Sequence, residues 1–321
     1  MNLQQCATRF ASVMLATSLT YAAEITGIVR DPNDAPLPYA LIQATNAAGA
    51  LHRTLSTNTG EYKLSGLPAG SYDVSISLTF LTPFRSPVTL TETPLHLDAK
   101  LNYGGTLGTP GEGHEYSLAA VRRVAPKGRT PKLPSGKPDL SGVWTWPLTL
   151  DPGTPEWLPA AAPDGSLAPS TYCLTHSLDW SNPYFKFIHS AKLLVMLLED
   201  DTPNYRQIFL DGRKHPADPF PTWWGHSIGR WEGDTLVVDR VGFTEKSWLD
   251  NAGHRHSENL HIVDRYRRPD LGHLEIETTY EDARSLRRPW TVKKLSILST
   301  DQEVQEYACP ENNLDPAHMG K

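Results

Sequence analysis

The chain is poor in cysteine. Three in 321 residues cannot form the disulfide lattice by which small secreted domains do without a large core, so the fold must rest on buried apolar surface. Basic excess is missing too. Thirty lysines and arginines against 36 aspartates and glutamates leave a formal charge of -6, which excludes the cationic face that a nucleic-acid partner requires. No uninterrupted apolar run reaches the ~20 residues of a transmembrane segment. The HExxH and phosphate-loop patterns that would announce a familiar mechanism do not occur, and no nucleophile elbow is expected, because Gly225-His226-Ser227-Ile228-Gly229, though spaced as GxSxG, leads into strand-like segments and not into a helix. Helical periodicity is scarce, which sets helical architectures aside.

What is present begins at the N-terminus. Arg9 precedes an apolar run from Phe10 to Ala23 that ends in small residues, the grammar of a secretory signal over residues 1–23 with a cut after Ala22 or Ala23. A buried N-terminal helix is the alternative. Export to the periplasm or the medium would remove Cys6 and leave Cys173 and Cys309, an even pair that reads as one disulfide in an oxidising compartment. Closing so long a loop would stabilise the chain by roughly 4 to 5 kcal/mol in the chain-entropy picture; two buried free thiols are the alternative. The length suits two domains.

Residues 24–101 consist of short alternating segments, among them ITGIVRD, ALIQAT, EYKLSG and SYDVSISL, separated by Gly, Pro and Asn. Period-two alternation with turn residues between predicts a β-sandwich. Gly27, Val29, Asp31, Pro36, Pro38, Ala40 and Ile42, followed by Thr59-Gly60-Glu61-Tyr62 and Leu67-Pro68-Ala69-Gly70-Ser71-Tyr72, form a more particular pattern. It resembles the carboxypeptidase regulatory-like domain, a transthyretin-like sandwich within the wider carbohydrate-binding-like fold. The resemblance implies a spacer, stabiliser or contact module, and sugar binding only through the name of that fold.

Residues 102–137 are first Gly-rich and then Pro-rich among basic residues, which reads as a solvated linker, with a helical turn at Ser117 to Val124. Residues 138–321 open with PDLSGVW and continue as about eight strand-like segments, including LLVMLLE, RQIFLD, DTLVVDR, HLEIETTYE and EVQEYAC. Short turns between them favour an antiparallel meander closed as a lipocalin-like barrel, which removes the sheet edges. Gly233 sits in a tight turn between two strands. One hairpin can be set in register: a loop at Pro269 to His273, with Gly272 left-handed, pairs Arg265 with Glu277 and Arg267 with Glu275. These four side chains either point inward as buried pairs or outward as surface ones.

Candidate chemistry gathers between Asp211 and His261. In one reading His254, His256 and His261, with Glu258, bind a divalent metal; the HxH spacing puts two imidazoles on one face of an extended chain, similar to the cupin pattern although the glycine spacing and the acid's position depart from it. In a second, His226 or His256 is a general base oriented by Asp211, Asp239 or Glu258, with Arg213 stabilising an anion, as a hydrolase, lyase or isomerase would need. In the third, which ranks first, these polar groups and His215 orient a small amphipathic molecule or glycan at the barrel mouth while Trp223, Trp224, Trp231 and Trp248 cover its apolar faces. A structural envelope protein is a further alternative. No cofactor is named by the sequence.

The run from PDLSGVW through IFLDGRKHP, GHSIGRWEGDTLVVD, AGHRHSENLHIVDRYRRPDLGHLEIE and EYACPENN resembles a large group of secreted bacterial proteins that carry the same N-terminal module. The resemblance implies that Asp211, Arg213, His215, Trp231, Asp234, Asp239, His256 and Cys309 belong to a shared site or scaffold. It brings no reaction with it.

Overall fold

The computed structural model describes residues 23–78, 81–91, 93–103, 124–145, 147–166, 168–174, 178, 184–199 and 203–305. The signal-like segment, most of Ser117 to Val124, and Cys309 lie outside the described residues. The fold is all-β, in two parts.

The first part is a sandwich. Its strands are β1 (Ala23–Arg30), β2 (Leu41–Asn46), β3 (Leu51–Leu55), β4 (Glu61–Leu67), β5 (Gly70–Ser77), β6 (Leu81–Thr82), β7 (Phe84–Leu90), β8 (Leu95–His96), β9 (Ala99–Lys100) and β10 (Asn102–Tyr103). One sheet runs β4-β1-β8, with β9 also on β1, and the other runs β3-β2-β5-β7. Alternation decides which side is core: Ala23, Ile25 and Val29 on β1 meet Ile42, Ala44, Tyr72, Val74 and Ile76 from the facing sheet. Gly27 sits where no side chain fits, because a Cβ there would come 2.0 Å from the Leu97 carbonyl oxygen. That same carbonyl accepts the Tyr62 hydroxyl at 2.6 Å.

The second part is a closed barrel. β11 (Gly142–Thr145), β12 (Leu148–Asp151), β13 (Tyr184–His189), β14 (Leu193–Leu198), β15 (Tyr205–Phe209), β16 (His226–Glu232), β17 (Thr235–Val241), β18 (His261–Arg267), β19 (His273–Glu281) and β20 (Trp290–Ser299) supply its wall. The order β11-β13-β14-β15-β16-β17-β18-β19-β20 returns to β11. β12 continues β11 along the same edge of β20, with Trp144 opposite Leu298 and Leu148 opposite Leu295. Glu303 to Gln305, expected to begin a strand, are not in one.

Two local expectations are tested by the turns. Arg265 stands opposite Glu277 and Arg267 opposite Glu275, with all four on the outer face. Arg265 donates to Glu232 and Arg267 to Glu275. Gly272 is not left-handed, contrary to expectation: Asp270 Oδ1 accepts the Gly272 and His273 backbone N–H groups, and a Cβ on Gly272 would meet the Pro126 carbonyl at 2.4 Å. Close packing, not φ, demands glycine there. Gly233 is left-handed (φ 60°) at the first position of the two-residue turn between Glu232 and Thr235, the pattern of a type II′ hairpin.

The meander has one exception. β15 and β16 run parallel, Ile208 opposite Ser227 and Phe209 opposite Ile228, and residues 210–225 form the long return that parallel neighbours require. The return is pinned beyond the end of β17 by a bridge between Thr222 and Phe243.

The lumen is filled. Trp144, Phe185, Phe187, Met196, Leu236, Val238, Leu274 and Ile276 pack it, and the void left at its centre is only about 20 Å³. Charges stand among them. Asp264 Oδ2 accepts Arg206 Nη2 at 3.0 Å and Arg240 Nη1 at 3.4 Å, Asp264 Oδ1 accepts the Thr278 hydroxyl at 2.9 Å, and the Tyr266 hydroxyl lies against both Arg206 and Asp264. Burial opposes charge on Asp264, but the Arg240 and Arg206 guanidiniums outweigh it and hold the carboxyl below its ordinary value. Burial, with Arg206 adding repulsion, lowers Arg240 to about 10. A ligand inside the barrel, as in a lipocalin, has no room.

Residues 125–137 are no solvated tether. Leu271 N–H donates to Gly128, Lys132 pairs with Asp234, and Lys137 donates to the Gly233 carbonyl, so the segment lies against one end of the barrel. Leu148 of β12 is buried with the sandwich core, and Arg53 of β3 forms an ion pair with Asp151.

Candidate functional site

Strand parity places the site on the outer wall rather than in the mouth. On β15, Arg206 and Ile208 point inward, so Tyr205, Gln207 and Phe209 face out. The return of residues 210–225 passes over this face and encloses a groove of about 580 Å³, whose walls include Tyr205, Phe209, Pro216, Phe220, Trp223 and His226. The size is that of a small-molecule site. Phe220 is 85% exposed and Tyr205 51%, an arrangement that leaves ring faces available to a ligand. Trp224 forms the buried floor, its Nε1 donating to the Pro203 carbonyl at 2.8 Å.

His226 lines one side, and a hydrogen-bonded row of histidines leads away from it. His226 Nδ1 lies 2.8 Å from His215 Nδ1, and His215 Nε2 lies 3.0 Å from Asp239 Oδ1. The same carboxylate oxygen takes His261 Nε2 at 3.0 Å, while His261 Nδ1 meets Glu281 at 2.9 Å. Five elements contribute: the return (His215), the start of β16 (His226), β17 (Asp239), β18 (His261) and β19 (Glu281). Desolvation, then the charges of His215 and Arg213, lower the His226 pKa, so its ring is neutral near pH 7. Arg213 stacks over Phe209 at 3.9 Å, and Phe209 in turn stacks on His226 with centroids 5.4 Å apart. Asp211 holds Arg213 through Nε and Nη2, and that hydrogen bonding lowers the Asp211 carboxyl to about 2.

The other sequence candidates fall elsewhere. His256 is buried in the 242–260 loop, its Nε2 2.8 Å from Ser247 Oγ and its Nδ1 3.0 Å from the Ser257 carbonyl. Burial lowers its pKa. The Ser247 and His256 pair has the spacing of a nucleophile and its base, but both residues are sealed in, so substrate has no access. His254 is clamped by Asp250 at 2.7 Å and stacked on Trp157 at 3.9 Å, and Glu258 is exposed. His254, His256 and His261 therefore do not converge, because each ring is already committed to a different partner. Among the described residues no cluster suited to a metal ion is found. Trp223 and Trp224 line the groove, whereas Trp231 stacks on His189 and Trp248 is buried beside Gly253. Cys173 is buried in a left-handed turn (φ 58°).

Tyr205, Gln207, Phe209 and Phe220 were not anticipated, nor was Glu281. Period-two reading of RQIFLD gives the side of Gln207 and Phe209, but not that the chain returns across it.

Residues 24–102 match the carboxypeptidase regulatory-like domain family. No curated protein matches the chain. Among solved structures, the minor pilin of Streptococcus agalactiae is 12% identical over 29% of this chain and 49% of its own, with a TM-score of 0.24. The chain thus spans about half the length of that pilin. The 5-hydroxyisourate hydrolase of Klebsiella pneumoniae is 16% identical over 26% of this chain and 92% of its own (TM-score 0.23). A putative carbohydrate binding protein of Bacteroides uniformis is 8% identical over 84% and 98% (TM-score 0.22). Likenesses this slight carry no argument about function.

Proposed function

We propose that the protein binds a small amphipathic molecule or glycan in the groove between β15 and the 210–225 return. The observation behind this reading is that Tyr205, Phe220 and Trp223 line a cleft of ligand size together with the His226 imidazole. Aromatic faces cover the apolar side of such a molecule, and a few polar groups fix its orientation. In this reading the chain is exported and divided as residues 24–101, 102–137 and 138–321. A cut after Ala22 leaves β1 whole, since Ala23 already pairs with Leu67. Cys173 and Cys309 form the one disulfide of the mature chain.

Fluorescence titration tests the binding reading. A panel of aryl glycosides should quench tryptophan emission saturably, and Trp223→Ala or Phe220→Ser should weaken binding at least tenfold with the far-UV spectrum unchanged. Variants that bind as the parent does would remove the groove from consideration.

A further inference from the structure

We infer that the groove is also a catalytic site, in which His226 Nε2 serves as the general base for water attack on an aryl ester, with His215 and Asp239 as positioning residues. The inference rests on the groove being a binding site.

Hydrogen-bond logic fixes the tautomers. Asp239 can only accept, so His215 presents Nε2–H to it; with His215 neutral, as the proposal requires, its Nδ1 is an acceptor and the Nδ1 of His226 carries the proton that bridges their 2.8 Å separation. His226 is thereby left with its lone pair on Nε2. Among the described residues no protein group occupies that nitrogen, and the ring lines the groove. A carboxylate, an intermediate imidazole and a base ring stand in line, so positive charge developing on His226 is relayed toward Asp239 without Asp239 leaving its ionised form. His261 completes the support, standing between the carboxylates of Asp239 and Glu281.

In the proposed step, water oxygen bonds to the acyl carbon while its proton passes to His226 Nε2. The carbon–oxygen bond to the aryl group then breaks, and the same proton goes to the departing phenolate, leaving a carboxylic acid and a phenol. No oxidant or metal is needed. The flat walls of Tyr205, Phe220 and Trp223 select an aromatic leaving group. The charged groups around His226 are Arg213 with Asp211 from the return, and Asp239 through His215. Desolvation first, with the Arg213 charge beside it, lowers the proton affinity of His226 and keeps the base free at neutral pH while His215 is neutral. The buried His256 and Ser247 cannot take this part.

The test uses the full mature chain with 4-methylumbelliferyl acetate as substrate and 4-methylumbelliferone as the non-reacting binding probe. Expected are hydrolysis that drops about 100-fold in His226→Asn, the scale of general-base assistance, and a kcat/KM that rises with pH through one ionisation below the usual imidazole range and then stays flat. Asp239→Asn should bind the probe within twofold of the parent, lower the plateau, and move that ionisation further down, because the imidazolium loses its distant carboxylate. A purely structural role for Asp239 would leave the ionisation where it was. Diethyl pyrocarbonate mapping of the unmutated protein supplies a readout that does not depend on a variant folding: His226 should be carbethoxylated, and protected by the probe. Equal hydrolysis by His226→Asn, or a His226 that does not react, overturns the inference. Probe binding without His226-dependent turnover also overturns it and leaves the binding reading standing; no probe binding removes both.

Discussion

Asp264→Asn is the sharpest test of how the barrel is held together. Asp264 is the carboxylate on which two guanidiniums converge, Arg206 at 3.0 Å and Arg240 at 3.4 Å, and its side chain is 3% exposed. Removing one partner from a buried ion cluster costs about 3 to 5 kcal/mol, because the remaining charges stay desolvated without compensation. For a domain of this size each kcal/mol moves Tm by about 2 to 4 °C, so the variant should unfold roughly 6 to 20 °C lower in a circular-dichroism melt. The pH dependence has a definite sign. Since the folded carboxyl titrates below its unfolded value, its contribution is complete above the unfolded aspartate pKa of about 3.9 and is lost as pH falls through the folded value. The parent should therefore lose stability below about pH 4, while Asp264→Asn loses less over the same window. A combined Arg206→Met, Asp264→Leu and Arg240→Met variant, which removes all three charges together, should recover most of the loss. A melt of Asp264→Asn within about 2 °C of the parent, less than the shift expected for one kcal/mol, would refute the claim that the network is electrostatically coupled.

Other expectations follow from single residues. His256→Ala should destabilise by about 1 to 3 kcal/mol, since it strips the partners of buried Ser247 and of the Ser257 carbonyl, while leaving probe binding in the groove unchanged; denaturant melts and fluorescence titration check both halves. Gly27→Ala should cost more than about 4 kcal/mol, because backbone at Leu97 has no way to yield to a Cβ at 2.0 Å, and hydrogen exchange should show β1 and β8 opening first. If the chain is cut after Ala22 and carries the proposed disulfide, thiol titration of the denatured protein should find no free cysteine, and reduction should lower Tm.

Some of this architecture could be read in advance because it is local. The β18–β19 register followed from one loop length, and the apolar side of the hairpin from alternation. The charged core also left a trace: Arg240 keeps phase with Leu236 and Val238, and Asp264 with Ile262 and Tyr266, so charge falls on positions that alternation assigns to the interior. Arg206 likewise keeps phase with Ile208; what the trace lacks is that this strand, remote in sequence, brings it to Asp264. The candidate site was legible in residue type but not in place. His226 reaches Asp239 only through His215, an intermediary that residue type alone does not supply, and HRHSE reads as a ligand set only until each imidazole is given its neighbour: Asp250 for His254, Ser247 for His256, Asp239 for His261. Expecting a ligand inside the barrel failed because large apolar side chains and the buried ion cluster use up the lumen.

Nine strands make the ring, and nine is odd. Directions that alternate around a closed circuit must come out even, so an odd circuit contains at least one pair of neighbours pointing the same way. Here that pair is β15 and β16, and same-way neighbours cannot be joined by a tight hairpin; the chain has to travel back along the wall before it can begin again. The groove lies under that journey. Its location is thus a matter of counting before it is one of chemistry, and a barrel with one strand more or fewer would have no geometric reason to possess it.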